Sequence, residues 1–334
     1  MLRTRFTELV GCTVPLQQAG MGDLASPRLA AAVADAGGLG MVGLTSAPPD
    51  YVMKSLDEVR LKTSGAFGAN FIVPGLVDET TGKVDPEFAG VVEAAASRAR
   101  VVEFFYGDPD PSLVETAHEG GALVCWQVGS CDEAIAAERA GCDFIVAQGT
   151  EAGGHVRGKT GLLALLGQVL PSVKVPVVAA GGIGTGRAMA GALAAGASAV
   201  RVGTRFVAAE ESEAHPRYVE KLIAAEAKDT ILTEAFSVGW PDAPHRVLRS
   251  AVEAAQRLQG DVAGERVRPW APDVRVPVPR FSCIAVMKTT TGEIDAMSYF
   301  AGESVDGVKG VQTAGDIVRE LSGEAENLLR RWGK

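Results

Sequence analysis

The sequence predicts an α/β chain folded as a (β/α)8 TIM barrel with a smaller inserted cap. Eight short apolar runs, separated by helix-length segments, fill the first two-thirds of the 334 residues. Eight βα repeats is the arithmetic of a closed parallel barrel, not of a doubly wound sheet. After Arg205 the regularity stops until one last amphipathic stretch, so the segment between reads as an insertion.

The strand runs are Thr13–Gln17, Leu39–Gly43, Ala66–Val73, Val101–Phe105, Ala122–Val128, Asp143–Ala147, Val175–Ala180 and Ala199–Val202. Each is short and predominantly apolar, as strands buried on both faces are. Between them the spacing predicts helices. The first opens at Ser26-Pro27, with serine as cap and proline in the first turn, and runs through Asp35. The others are Asp50–Leu61, Pro86–Arg98, Ser112–His118, Cys131–Ala140, Gly161–Leu170 and Thr185–Ala195.

Beyond the repeats, Glu210–Ala227 and Arg246–Gln259 read as helices. Val267–Pro279 holds four prolines, which excludes a central strand or helix. Phe281–Met287 and Ala296–Phe300 flank a turn and are expected to pair. Thr313–Arg331, with Ile317, Leu321 and Leu328 on one face, is expected to serve as the eighth barrel helix. The division that follows is a barrel of 1–210 plus 301–334 and a cap of 211–300.

Composition narrows the function. A hydrophobic content of 47% with 40 glycines suits a compact α/β enzyme, and the net charge of −9 argues against nucleic-acid binding. Five cysteines without a C-x-x-C pair predict reduced thiols in a cytosolic setting and no metal site. No apolar run approaches the roughly 18 residues that span a bilayer. MLRTRFTELVG lacks the apolar core of a secretory signal. A cytoplasmic protein without a membrane partner is expected, and an oligomer is compatible with the sequence.

Val175–Phe206 is the most informative stretch. It reads strand, glycine turn, helix, strand, glycine turn, which puts Gly181-Gly182 and Gly203-Thr204 at one sheet edge. Without a Cβ in the way, two such turns can aim backbone N–H groups at a single phosphate. A dinucleotide fingerprint is rejected, because G-x-G-x-x-G would need glycine at Arg187 or Met189. Arg201 also stands where an acid for a ribose would be expected.

Barrel chemistry sits at the C-terminal ends of the strands. Those ends carry Gln18-Ala19-Gly20-Met21, Asn70, Gln127, Gln148–His155, Gly181-Gly182 and Gly203-Thr204. This set has no carboxylate pair, no Ser/His/Asp series, no metal ligands and no Schiff-base lysine. A phosphate cradle with side-chain amides and one titratable base implies that a cofactor supplies the electron chemistry. Flavin mononucleotide (FMN) fits that set. His155, after Glu151-Ala152-Gly153-Gly154, is the candidate for moving a proton near neutral pH; a satisfied loop histidine is the alternative. His118 and His245 read as surface or cap residues, Glu151 as a carboxylate fixing the loop, and Arg201 as an arginine paired with an acid.

Gln148-Gly149-Thr150-Glu151-Ala152-Gly153-Gly154-His155, Ala179-Ala180-Gly181-Gly182-Ile183 and Val202-Gly203-Thr204-Arg205-Phe206 together resemble the nitronate monooxygenases, formerly called 2-nitropropane dioxygenases. Ala36-Gly37-Gly38-Leu39-Gly40 and Ala301-Gly302-Glu303-Ser304-Val305 extend the likeness over nearly the whole chain. The resemblance implies an FMN-binding TIM barrel that oxidises alkyl nitronates with O2. It implies flavin contacts at Asn70, Gln148, Gly153 and Gly182, and, mainly through backbone, at Arg201, Val202, Gly203 and Thr204; Ala19, Gly20, Met21, Gln127 and Gly181 join the cofactor-binding candidates by their place at the strand ends. It makes His155 the catalytic residue. The motifs also resemble FMN-dependent NADH:quinone reductases and flavin enoyl-acyl-carrier-protein reductases, the latter through Ser212-Glu213-Ala214-His215-Pro216. NAD(P)H-dependent reduction of a quinone or enoyl thioester is therefore the alternative activity. Gln127 stands where many relatives have lysine.

Overall fold

The computed structural model describes residues 2–73 and 86–332. Eight parallel strands form the barrel: β1 (Leu16–Gln18), β2 (Gly40–Gly43), β3 (Phe67–Ile72), β4 (Val101–Phe105), β5 (Leu123–Val128), β6 (Phe144–Gln148), β7 (Val177–Ala180) and β8 (Ala199–Val202). Each pairs with its neighbour in chain order, and β8 returns to β1. The seam between β1 and β2 is narrow. It is a single parallel bridge, Gln17 to Leu39, with Leu39 N donating to Leu16 O at 2.8 Å and Gln18 N to Leu39 O at 2.9 Å. All eight expected strands are present, each within a few residues of its predicted bounds.

The helices start where the sequence supplies caps. Ser26 Oγ accepts from Leu29 N, Ser130 Oγ from Glu133 N, and Thr185 Oγ1 from Ala188 N, each satisfying an N–H that has no partner inside its helix. The outer core lies between these helices and the outward strand residues, among them Val102, Phe104, Trp126, Ile145 and Val200. The helix Ala314–Trp332 packs against both Gly186–Ala194 and Pro27–Asp35. It thereby completes the helical ring, as its apolar spacing predicted.

Alternate strand residues fill the barrel interior. At the floor, Leu39, Met41, Val101, Phe144, Val146 and Val178 pack together. The short helix Arg5–Val10, which the sequence reading left unassigned, plugs this end with Phe6 and Val10. The Phe6 and Phe144 rings meet edge-to-face at 5.3 Å.

A second core is built mostly from residues 207–308, including Tyr218, Phe236, Val247 and Tyr299. Here strands β9 (Thr230–Thr233) and β10 (His245–Leu248) pair antiparallel, and β11 (Val262–Arg268) pairs with β12 (Ala271–Pro279) as a largely exposed ribbon. The proline-rich run is thus a ribbon strand, tolerable because its unpaired side faces solvent. Two expectations are corrected. Arg246 begins in a strand, and the helix runs only over Arg249–Arg257. Phe281–Met287 and Ala296–Phe300 form no ladder among the described residues; Phe300 instead bridges Val247.

Phe144 is fully buried on the barrel axis, so Phe144→Ala opens a cavity that rigid strands cannot collapse. Urea unfolding is expected to show a loss of about 3–5 kcal/mol. A loss under about 1 kcal/mol would show that the floor is not packed as described.

Candidate functional site

The mouth of the barrel gathers the residues singled out from the sequence. At the end of β1, Gly20 lies so close to Asn70 of β3 that a Cβ would sit 2.4 Å from Asn70 Cβ and Cγ. Ala19 N donates to Val202 O at 2.9 Å, and a Cβ on Gly203 would meet Ala19 Cβ at 3.5 Å. Val202 itself points into the outer core, leaving only its backbone at the mouth. Met21 packs between the barrel core and the second core. The β1 end, Asn70 and the β8 turn are therefore contiguous.

The second glycine turn meets the loop after β6. Gly181 and Gly182 have φ of 114° and 69°, a backbone that side chains with a Cβ rarely adopt. A Cβ on Gly181 would crowd Gly149 O at 3.1 Å, and one on Gly182 would touch Glu151 Cβ at 3.4 Å. Gly153 approaches Gly302 backbone-to-backbone, and Gly302 N donates to Thr204 Oγ1 at 3.0 Å. Segment 301–304 thus clasps the loop against the β8 turn. Outside the helices and ladders, the N–H groups of Gly182 and Gly203 make no backbone hydrogen bond among the described residues. Glu151 accepts from Leu162 N with both carboxylate oxygens, at 2.9 and 3.0 Å. It caps the helix Leu162–Val169 and fixes the loop, as read from the sequence.

Several polar atoms at the mouth are buried without a partner: Gln17 Oε1, Gln127 Oε1, Gln148 Oε1 and His155 Nε2. Gln148 Nε2 donates to His155 O at 2.9 Å, so this amide turns its oxygen elsewhere. Buried acceptors are rarely left unpaired without reason. A flavin fits these residues: its ring carries an N–H donor for such oxygens, and its one phosphate suits the free N–H groups of the glycine turns.

His155 lies in a two-residue strand, Gly154–His155, that adds to the edge of β10 opposite His245 and Arg246. Its ring stacks on Trp240 at 4.0 Å, with His245 at 5.4 Å and Phe300 at 5.6 Å. Burial, with a smaller contribution from His245, lowers its pKa from 6.5 to about 3. His245 is fully buried; its Nδ1 bonds Ala243 O and its Nε2 accepts from Phe236 N, which leaves a neutral ring. His118 pairs with Asp143 at the surface.

Sequence reasoning missed Glu103. This carboxylate, fully buried in β4, accepts from Gln17 Nε2 at 2.6 Å and Asn70 Nδ2 at 2.7 Å. It forms an ion pair with Arg201 at 2.8 Å, supplying the acid expected for that arginine. Its signal was a lone charge inside the apolar run Val-Val-Glu-Phe-Phe. Trp240 and Phe300 were also missed, and nothing local marks either one.

The nitronate monooxygenase family model matches residues 3–324. The chain belongs to this family. It is 28% identical to a probable nitronate monooxygenase of Staphylococcus aureus (strain JH9), over 90% of this chain and 92% of that relative. Among solved structures it is similar to FabK from Thermotoga maritima, with a TM-score of 0.80 and 31% identity over 100% and 99% of the two chains. It is also similar to nitroalkane oxidase from Streptomyces ansochromogenes, with a TM-score of 0.76 and 28% identity over 98% and 99%. Membership makes the chain an oxidoreductase of a flavoenzyme family acting on small molecules. No described helix is long and apolar enough to cross a membrane, and no described cluster has the makings of a metal site.

The lowered pKa has a consequence for stability. The unfolded histidine takes a proton near pH 6.5, whereas the folded one resists protonation down to about 3. The unfolded state therefore binds more protons in that window, and stability falls as pH falls through it. From pH 7 to pH 5 this group should account for about 2 kcal/mol of lost stability. His155→Asn should remove that share when urea midpoints are compared at the two pH values. An unchanged slope would show that the imidazole is not held neutral.

Proposed function

We propose that this enzyme binds FMN and oxidises alkyl nitronates with O2. The observation that carries the reading is the convergence of two glycine turns, three orphaned amide oxygens and the buried His155 Nε2 at one barrel mouth. Gly181, Gly182, Gly203 and Thr204 would hold the phosphate through backbone N–H groups. Asn70, Gln127 and Gln148 would bond the polar edge of the ring, with Ala19, Gly20, Met21 and Gly153 lying against it. Arg201 would contribute backbone, because its guanidinium is engaged by Glu103. One cradle and no second pyrophosphate motif favour FMN over FAD. The chemistry that the flavin supplies is electron acceptance from the substrate and delivery to O2.

His155 would position the substrate. An imidazole whose pKa stands at about 3 is a weak base for a neutral nitroalkane. An anionic nitronate needs no deprotonation, and its charge would draw a proton onto the ring. Preformed nitronate is thus the favoured substrate. We also assign the cap, 211–300, to substrate selection and the barrel, 1–210 plus 301–334, to the flavin.

NAD(P)H-dependent reduction of a quinone or enoyl thioester ranks second. Its motif support is Ser212–Pro216. There His215 Nδ1 accepts from Arg217 N and starts the helix Pro216–Ala224, a capping role that accounts for the histidine without chemistry.

Purified protein should be yellow and release FMN, and Gly182→Asp should abolish retention by setting a carboxylate against the phosphate. Stoichiometric flavin in that variant would move the phosphate site elsewhere. Anaerobic mixing should bleach the flavin with nitronate; bleaching by NADH but not nitronate would install the reductase reading. His155→Ala is expected to lower nitronate turnover through lost positioning, and to cost any nitroalkane activity less than the about 10²–10⁴-fold that a well-matched general base supplies. Equal activity on both substrates would reduce His155 to a loop residue.

A further inference from the structure

We propose that Glu103 is a positioning residue that sets the polarity of the flavin site from beneath, through Asn70, Gln17 and Arg201. The inference rests on the flavin reading above. The carboxylate is fully buried in the barrel interior. An ionised carboxylate only accepts hydrogen bonds. The amide nitrogens of Asn70 and Gln17 are therefore drawn to it, at 2.7 and 2.6 Å, and their oxygens are turned away. Gln17 Oε1 is one of the buried atoms left without a partner. Cys125 Sγ, protonated because burial and Glu103 both raise its pKa, donates a fourth contact at 3.5 Å.

The cluster ties several strands together, but such a tie does not require ionised groups. Phe144, Val146 and Val178 pack the neighbouring interior with apolar side chains, and a buried ion pair is weak evidence for stability, since an apolar replacement often serves as well. What the pair does supply is charge balance. Arg201 lies directly before the Val202-Gly203-Thr204 turn, and Glu103 cancels its charge at 2.8 Å. In a dry interior an uncancelled charge would act over a long range, and charge near a flavin tunes its electronics. Glu103 thus keeps the site neutral while orienting its amides.

The experiment begins with wild-type protein, scored for bound flavin. Absence of flavin overturns the reading beneath and this assignment with it. With flavin present, the reduced-to-oxidised ratio is measured at a fixed potential against a reference dye. Glu103→Gln leaves Arg201 uncompensated, which favours the added electrons. It is expected to raise the ratio about tenfold, or about 30 mV for a two-electron couple. Glu103→Gln combined with Arg201→Gln restores neutrality and is expected to stay within about twofold of wild type. A folded, flavin-loaded Glu103→Gln with the wild-type ratio overturns the proposal and leaves the cluster structural. Should that single variant fail to fold, Arg201→Gln decides: it leaves the Glu103 charge uncompensated and is expected to lower the ratio about tenfold, and a wild-type ratio there overturns the proposal.

Discussion

The carboxylate of Glu103 ties strands together at the barrel axis. It stands on β4 and receives Gln17 from β1, Asn70 from β3, Cys125 from β5 and Arg201 from β8. Five of the eight strands meet there by that count. The β1–β2 seam is only one bridge wide, so the tie from Gln17 to β4 helps hold β1 in the ring. Removing either Glu103 or Arg201 strands the other's buried charge, a cost of about 3–5 kcal/mol. The arrangement of the mouth above is inherited from this point, since Asn70 is fixed by Glu103 and Gly20 is fixed against Asn70.

A second constraint is steric. The cradle closes because Gly153 and Gly302 let two backbones touch, and because Gly302 N reaches Thr204 Oγ1. Arg205 holds the far side, bonding Gly307 O, Gln312 and Glu320 on the way into the last helix. The chain thus leaves the barrel after β8, builds the second core, and returns at 301–304 to the place it left. An insertion at this point in the chain can be large without disturbing the ring of strands.

Much of this was legible in the sequence. Buried parallel strands are short apolar runs, and glycines at their ends mark turns, so the eight strands and both glycine turns could be read from local pattern. Glu151 and Arg201 were legible for the same reason, as charges out of place beside apolar runs. Glu103 carried the same mark and was passed over as part of a strand. Trp240 and His245 were not legible as neighbours of His155. Their contacts span 85 and 90 positions of chain and depend on how residues of the second core fold, where short strands and irregular segments leave no period to follow. The ribbon β11–β12 escaped because proline ordinarily argues against strands, and an exposed ribbon is the exception.

The two-residue ladder between Gly154–His155 and β10 couples parts of the molecule that seem separable. Side chains alternate along a strand, so a slip of one residue in that ladder would turn His155 to the opposite face. Any lengthening of the turn that precedes β10 threatens such a slip, even far from the barrel. The imidazole and the second core are therefore geared together, and change in one is bounded by the other. Changes within the second core leave the imidazole in place only while the phase of that one strand edge is kept.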